Sequence, residues 1–296
     1  MTSVATAKVN GLNIAYEVVG DGERTWSLTA GGRFNKETPG LRELAVALAE
    51  RDGRVLIWDR PNCGASDVSF DADTESNLHA DTLAALLEHL DLAPAIVAGG
   101  SAGSRVSLLT AARHPETVRA LALWWISGGV MGLLSLGNVY CAPSLRTAWK
   151  EGSMEAVADL SDWTEVIEKN PANRQRILDQ DRDTFIATME RWMMAYCPQP
   201  DQHVPGLPDD VARKIDVPAI VFRSGASDPS HPRATSEAVA ELLPNARLVE
   251  PPWGDREWHE RQAERDKTGG LFVRWPLLAP QLLEWTDEVV DGRGNL

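Results

Sequence analysis

Short apolar runs alternate with amphipathic stretches along most of the chain. After a hairpin in AKVNGLNIAYEVVG, the apolar runs predict strands at TWSLT, RVLIWD, AIVAGG, VRALALWWI, VPAIVFRSG and ARLVEP. The stretches with helical spacing are ETPGLRELAVALAERDG, TESNLHADTLAALLEHLDL, AGSRVSLLTAARHPE and PRATSEAVAELLP, with two more ending near Val290. Nearly continuous apolar strands separated by helices are typical of a mostly parallel sheet covered on both faces. The predicted fold class is therefore α/β.

The alternation stops at about residue 126, and mostly helical text continues through Tyr196. The strand pattern then resumes at VPAIVFRSG. This order fits an insertion into one core better than two tandem domains. We therefore predict an α/β core made of residues 1–125 and 206–296, interrupted after its sixth strand by a helical cap, residues 126–205.

Composition and charge narrow the class of partner. A hydrophobic content of 43% with 24% charged residues is ordinary for a globular chain, and no run approaches the roughly eighteen apolar residues of a membrane span. The N-terminus lacks the pattern of an export signal, so we expect a cytoplasmic protein. A net charge of −14 disfavours nucleic acid and anionic membranes. The expected partner is a small-molecule substrate, and a homo-oligomer stays open.

No cofactor motif is visible. The three cysteines are far apart, without zinc-type spacing, and are expected to be free thiols. No glycine-rich dinucleotide fingerprint follows the first strand. We therefore expect neither a metal nor an organic cofactor.

The segment GGSAG, residues 99–103, places Ser101 between glycines, directly after an apolar run and before a helical one. A bare G-x-S-x-G string occurs often by chance, but a strand before it and a helix after it are the context of a nucleophile elbow. Flanking glycines are needed there because side chains would collide with the strand and the helix. Ser101 is therefore the candidate nucleophile, and the backbone amide of Ala102 would face a developing oxyanion.

At this point the chain resembles the α/β-hydrolase fold superfamily over most of its length. The resemblance is carried, in chain order, by SLTAGGR for the oxyanion loop, WDRPNCGASD for the turn after the next strand, GGSAG for the elbow and SGASDPSHP for the acid-bearing loop. Ala30 stands where many members have histidine, and Asn62 and Cys63 replace the more usual Gly-x. These positions support loops rather than react.

The resemblance implies the remaining site residues. The second oxyanion donor would be the backbone amide of Gly32 or Arg33, two positions that the sequence does not separate. The Arg33 side chain would either hold a substrate carboxylate or be a solvated loop arginine. Asp228 matches the family's acid, which would orient the base and stabilise its imidazolium form.

The base is less clear, because Asp255 occupies the slot after the last strand where the family has histidine. His259 lies four residues on and is the leading candidate by the order Ser…Asp…His. His231, in the Asp228 loop, is its rival, and a chain with no base is the third reading.

These residues predict a serine hydrolase that acts through an acyl-enzyme on a small, largely apolar ester, lactone or vinylogous C–C substrate. A serine at the elbow argues against the epoxide hydrolases and haloalkane dehalogenases of this fold, which use aspartate. The candidate pocket walls are tryptophans of the cap and of the residue just before it, namely Trp125, Trp149, Trp163 and Trp192. Two alternatives stay open: a lyase or isomerase on the same fold, motivated by Asp255 in the histidine slot, and a small-ligand binding protein with little turnover.

Overall fold

The structure, a computed structural model, describes residues 5–268, 270–290 and 292. The strands are β1 (Ala5–Val9), β2 (Leu12–Val19), β3 (Arg24–Thr29), β4 (Gly53–Trp58), β5 (Ala95–Gly100), β6 (Val118–Trp124), β7 (Ala219–Phe222) and β8 (Ala246–Val249). The helices before β7 are α1 (Leu41–Ala49), α2 (Glu75–His89), α3 (Ala102–Arg113), α4 (Gly129–Tyr140), α5 (Ala142–Glu151), α6 (Met154–Ala158), α7 (Ser161–Lys169), α8 (Ala172–Leu178), α9 (Arg182–Met194) and α10 (Asp209–Ala212). After β7 come α11 (Arg233–Leu242), α12 (Glu257–Thr268) and α13 (Ala279–Trp285).

The eight strands form one sheet in the order β1-β2-β4-β3-β5-β6-β7-β8. The strands β1 and β2 form the antiparallel edge, and β2 also runs antiparallel to β4. From β4 to β8 every neighbouring pair is parallel. The predicted α/β class, with a mostly parallel sheet and helices on both faces, is confirmed.

The sheet is buried on both faces because its central strands carry apolar residues on both faces. In β5, Ala95 and Val97 pack into one core together with α2 and α3, while Ile96 and Ala98 pack into the other, against α1 and α13. This double burial explains why the strands appear in the sequence as continuous apolar runs without polar alternation.

Two predicted boundaries move for local backbone reasons. The helix predicted over residues 37–53 begins only at Leu41, since Gly40 before it has φ +97° and cannot belong to the helix. The strand predicted through Ile126 ends at Trp124, because Trp125 has φ +49° and turns the chain out of the sheet.

The helices α4–α9 all lie between β6 and β7 in the chain, where the helical segment was predicted. They pack on the loop that follows β4: Phe70 of that loop contacts Trp163, Phe185 and Trp192. Trp163 and Trp192 are therefore interior residues of this helical layer, whereas Trp149 is 76% exposed. No helix within the described residues is long and apolar enough to cross a membrane.

Candidate active site

Ser101 occupies the turn between β5 and α3 with φ 58° and ψ −119°, a conformation that non-glycine residues rarely adopt. Backbone strain of this kind is concentrated at functional sites. The flanking glycines are required by packing: a Cβ on Gly99 would lie 2.6 Å from the carbonyl carbon of Gly103, and one on Gly103 would overlap the carbonyl oxygen of Thr29. The strand, the turn and the helix therefore fit together only with glycine at these positions.

We expect the substitution Gly103→Ala to lower the free energy of unfolding by about 1–3 kcal/mol, because the new methyl group must push backbone against backbone. The matched control is Gly254→Ala, since a Cβ at Gly254 meets nothing within 4 Å. Urea denaturation of the two variants measures the difference. Equal midpoints would contradict the tight elbow.

A hydrogen-bonded chain of three side chains leads from the serine into the protein. His231 Nε2 lies 2.9 Å from Ser101 Oγ, and His231 Nδ1 lies 2.8 Å from Asp228 Oδ2. Asp228 and His231 are buried, at 5% and 6% exposure, while Ser101 is half-buried. The other oxygen of Asp228 accepts from the backbone amides of Ser230 and His231, at 2.9 and 3.0 Å. This is the arrangement in which an imidazole takes a hydroxyl proton while a carboxylate fixes its tautomer.

The structure corrects the leading assignment of the base. His259 lies on α12 and is exposed, with its ring against Trp258 rather than Ser101. The buried face of α12 carries Glu257 and Arg261, which are four residues apart, and His259 lies halfway between them on the opposite face.

The imidazole at Ser101 comes from the rival candidate, His231. A turn in which Asp228 caps the amides of the next residues folds His231 back onto its own acid. The sequence signal was the short D-P-S-H spacing. Asp255, in the slot where histidine was expected, is exposed and forms an ion pair with Arg233.

Behind Asp228 lies a second buried layer of charge. Arg261 Nη2 donates to Asp228 Oδ2 at 2.9 Å, and Arg261 Nε lies 3.1 Å from Glu257 Oε1. The guanidinium sits 3.9 Å from the centroid of the Trp125 ring, which is also stacked against His231. Burial raises the pKa of Asp228, but the hydrogen bond and charge of His231 and the charge of Arg261 outweigh it, so the pKa lies below its ordinary value. Asp228 is therefore held as a carboxylate.

Burial raises the pKa of Glu257 to about 7 even though Arg261 and, further out, Arg274 oppose the shift. The negative charges of Asp228 and Glu260 add to the increase. A carboxyl whose folded-state pKa exceeds its unfolded value binds more protons when folded. The contribution of Glu257 to the free energy of unfolding is therefore fully present below pH 4.5 and is lost as the pH rises through about 7.

We therefore expect Glu257→Gln to become more stable relative to the unmodified chain as the pH rises from 4.5 to 8, by up to about 3 kcal/mol. Denaturant midpoints measured across this range test the prediction. A stability difference that does not vary with pH would show that Glu257 is ionised in the folded protein throughout.

The loop after β3 approaches the serine from the other side. A Cβ on Gly31 would lie 3.1 Å from Ser101 Cβ, so the loop backbone touches the elbow. Arg60 holds this loop in place by donating one nitrogen, Nη2, to the carbonyls of Gly31, Gly32 and Phe34, at 3.3, 2.6 and 3.2 Å.

The backbone amide of Ala102 opens α3, where no helical carbonyl precedes it to accept its hydrogen. The loop at Gly31 and the start of α3 therefore both adjoin Ser101. The Arg33 side chain differs from both readings offered by the sequence. It turns inward, donates to the carbonyl of Tyr140 at 3.0 Å and pairs with the buried Glu75 at 3.1 Å.

Three of the other histidines have partners away from the serine. His79 is buried against the carbonyl of Pro61, and burial lowers its pKa to about 3, so it stays neutral. His114 contacts Asp81, and His203 contacts Asp209. Within residues 5–268, 270–290 and 292, no group of three or more histidine, cysteine or acidic side chains is placed to hold a metal ion.

Comparison with known proteins supports the fold. A family model described as alpha/beta hydrolase fold matches residues 34–126, which contain β4, β5, the turn at Ser101 and β6 but not the residues Gly31, Gly32 and Arg33. The chain has the α/β-hydrolase fold. Among solved structures, a thermophilic esterase from Thermogutta terrifontis superposes with a TM-score of 0.60 at 20% identity, covering 97% of this chain and 99% of that one. At that identity the likeness shows the fold alone.

Two curated relatives are named as hydrolases. Human serine hydrolase BPHL is 26% identical over 275 residues, which cover 89% of this chain and 84% of that protein. The 2-hydroxy-6-oxononadienedioate/2-hydroxy-6-oxononatrienedioate hydrolase of Escherichia coli K12/DH10B is 25% identical over 151 residues. That match covers 48% of this chain and about half of the relative, 52%.

Proposed function

We propose that this chain is a serine hydrolase that cleaves a small ester, lactone or vinylogous diketone through an acyl-enzyme on Ser101. The observation that carries the proposal is the chain of two hydrogen bonds through His231. Its Nε2 lies 2.9 Å from Ser101 Oγ, and its Nδ1 lies 2.8 Å from Asp228 Oδ2. Its geometry matches what a neutral hydroxyl needs in order to become a nucleophile. The human relative named a serine hydrolase, similar over most of its length, supports the same reaction class.

The reaction begins when Ser101 Oγ attacks the substrate carbonyl and His231 Nε2 takes the hydroxyl proton. The negative charge that develops on the carbonyl oxygen is stabilised by the Ala102 amide and by an amide of the Gly32–Arg33 turn. His231 then gives the proton to the leaving group, and the acyl group remains on Ser101. Water, deprotonated by His231, attacks the acyl-enzyme, and the serine recovers its proton when the acid leaves.

Asp228 keeps His231 ready for both proton transfers. Its carboxylate accepts from Nδ1, which leaves Nε2 as the acceptor for the Ser101 proton, and its negative charge stabilises the imidazolium that forms during attack. Because the two backbone amides and Arg261 hold the carboxylate, the ring is oriented before substrate binds.

In this proposal the helices α4–α9 form the cap. The first of them, α4, lies directly on the loop that carries His231, which we call the base loop. A Cβ on Gly132 would come within 2.8 Å of the Ser230 carbonyl oxygen, and one on Gly129 within 2.9 Å of the Pro232 ring. Tyr140 at the end of α4 lies near Gly32. A helix that touches both the base loop and the oxyanion loop is well placed to cover a substrate on Ser101.

The direct test is rapid-mixing kinetics with p-nitrophenyl pentanoate. An acyl-enzyme whose hydrolysis is slower than its formation gives a burst of p-nitrophenol that approaches one equivalent per chain. Mass spectrometry of the quenched reaction should place the pentanoyl group on the peptide that contains Ser101. If ester cleavage is absent, or if it occurs without any acylated Ser101 peptide, the proposal is wrong, and lyase, isomerase or ligand-binding activity becomes the account to test.

A further inference from the structure

A buried cation lies one helical turn after the candidate nucleophile. Arg105 is on α3, and its side chain is only 3% exposed. Its Nε donates to Ser76 Oγ at 2.8 Å, and its Nη2 donates to the hydroxyl of Tyr196 at 3.2 Å, with the guanidinium above the Tyr196 ring. Its third nitrogen, Nη1, is buried and reaches no hydrogen-bond partner among the described residues.

The surrounding charges do not balance Arg105. The nearby carboxylate, Glu75, is already held by Arg33 at 3.1 Å and by the amide of Asn62 at 3.1 Å. Arg60 adds another buried guanidinium, whose hydrogen bonds go to neutral carbonyls. Asp59 is also buried nearby, but it faces Lys36 at 3.9 Å. Glu75 is therefore the carboxylate that faces three guanidinium groups, and the neutral His79 does not change this balance.

An unpaired buried guanidinium destabilises the folded protein. The free energy lost when the charge leaves water is offset only by a counter-charge or a full set of hydrogen bonds. Neutral partners satisfy only two of the nitrogens of Arg105. The chain as a whole carries a net charge of −14, so acidic residues are abundant elsewhere. An external anion would supply both the missing acceptor and the missing charge, and a carboxylate suits the planar fork of arginine.

The cluster adjoins the serine. The backbone amide of Arg105 donates to the carbonyl of Ser101 at 3.3 Å, so Arg105 lies in the first turn of the helix that the serine begins. Gly31 touches Ser101, a Cβ on the next residue, Gly32, would lie 3.9 Å from the Tyr140 hydroxyl, and the Tyr140 and Tyr196 rings are 5.9 Å apart. Successive contacts thus connect the oxyanion loop to Tyr140, Tyr196 and Arg105.

We propose that Arg105 binds a carboxylate of the substrate, so that the preferred substrate is an ester, lactone or diketone whose acyl part ends in a carboxylate several bonds from the scissile carbonyl. This inference rests on the proposed function, since it assigns the substrate class of the same site. The sequence predicts a largely apolar substrate, whereas this inference predicts an amphipathic one. Its acyl chain would lie along Tyr140 and Tyr196, and its anionic end would bind Arg105.

The test compares two esters that differ only at the end of the acyl chain, mono-p-nitrophenyl glutarate and p-nitrophenyl pentanoate. The readout is the ratio of kcat/KM for the charged ester to kcat/KM for the neutral one. We expect Arg105→Met to lower this ratio at least about thirtyfold and Arg105→Lys to lower it less, because lysine keeps the charge without the fork. The matched control is Arg113→Met on the same helix. Because the Arg113 guanidinium pairs with Asp81 at the surface, this substitution should leave the ratio unchanged. A ratio in Arg105→Met within threefold of that of the unmodified chain overturns the inference.

Binding to Ser101→Ala provides a readout that needs neither turnover nor a change at Arg105. In calorimetry, monomethyl glutarate should bind this variant at least tenfold more tightly than methyl pentanoate, and equal affinities overturn the inference. The two proposals fail differently. If the unmodified chain hydrolyses the neutral ester through Ser101 but shows no preference for the charged one, only the anion site is wrong, whereas loss of acylation with both esters contradicts the hydrolase.

Discussion

The substitution His231→Gln is expected to lower kcat for p-nitrophenyl pentanoate about a thousandfold or more. Glutamine can still hydrogen-bond to Ser101 and Asp228, but it cannot accept the hydroxyl proton, so the serine remains a weak nucleophile. Steady-state kinetics at neutral pH measure the loss, and circular dichroism checks the fold.

The matched control for this variant is His259→Gln. Because His259 is exposed on the outer face of α12, this change should leave kcat within about twofold of the unmodified chain. The two variants together decide the base. If His259→Gln were the damaging substitution and His231→Gln the harmless one, the arrangement described here would be wrong.

The substitution Ser101→Ala is expected to abolish the burst and to lower kcat by about ten thousandfold or more, since no group remains to carry the acyl intermediate. Among residues 5–268, 270–290 and 292, the hydroxyl has hydrogen-bond partners in His231 and, at 3.4 Å, in Ser127, so its removal should leave the fold intact. The matched control is Ser107→Ala, whose hydroxyl on the same helix bonds to the carbonyl of Gly103. Burst amplitude and acylated-peptide mapping measure the result. A burst that persists in Ser101→Ala would place the acyl group on another residue.

Much of the fold could be predicted because its signals are local. The apolar runs of β4 to β7 reflect burial on both faces of the sheet, and the helical spacing of α2 and α3 is visible within each segment. The elbow was also predictable, since its glycine pattern lies directly between an apolar run and a helical one. The structure shows why glycine is needed: a Cβ on Gly99 would clash with Gly103, and one on Gly103 would clash with Thr29.

The histidine was harder to assign because it depends on how two loops fold. Chain order and the family pattern favoured a histidine after β8, and His259 was the nearest one. Only the structure shows that the segment after β8 continues into α12 with Glu257 and Arg261 facing inward, which turns His259 outward. The tight Asp228 turn, which brings His231 to the serine from within the acid loop, depends on hydrogen bonds to Asp228 that spacing alone does not determine.

The two buried arginines could not have been singled out from the sequence. The contact between Arg261 and Asp228 joins positions that are 33 residues apart, and the hydrogen bond from Arg105 to Tyr196 joins positions that are 91 apart. In the sequence both are ordinary helical arginines. That Arg105 has no acidic partner in the part of the chain that the structure describes is a property of the packing, in which Glu75 already pairs with Arg33.

Labelling with a small fluorophosphonate at neutral pH shows whether Ser101 is a nucleophile that His231 activates. Intact mass and peptide mapping should show one adduct per chain, on Ser101. The labelling rate should fall at least about a hundredfold in His231→Gln and remain unchanged in His259→Gln. An adduct on a different residue, or labelling of Ser101 at an equal rate in all three proteins, would contradict the account.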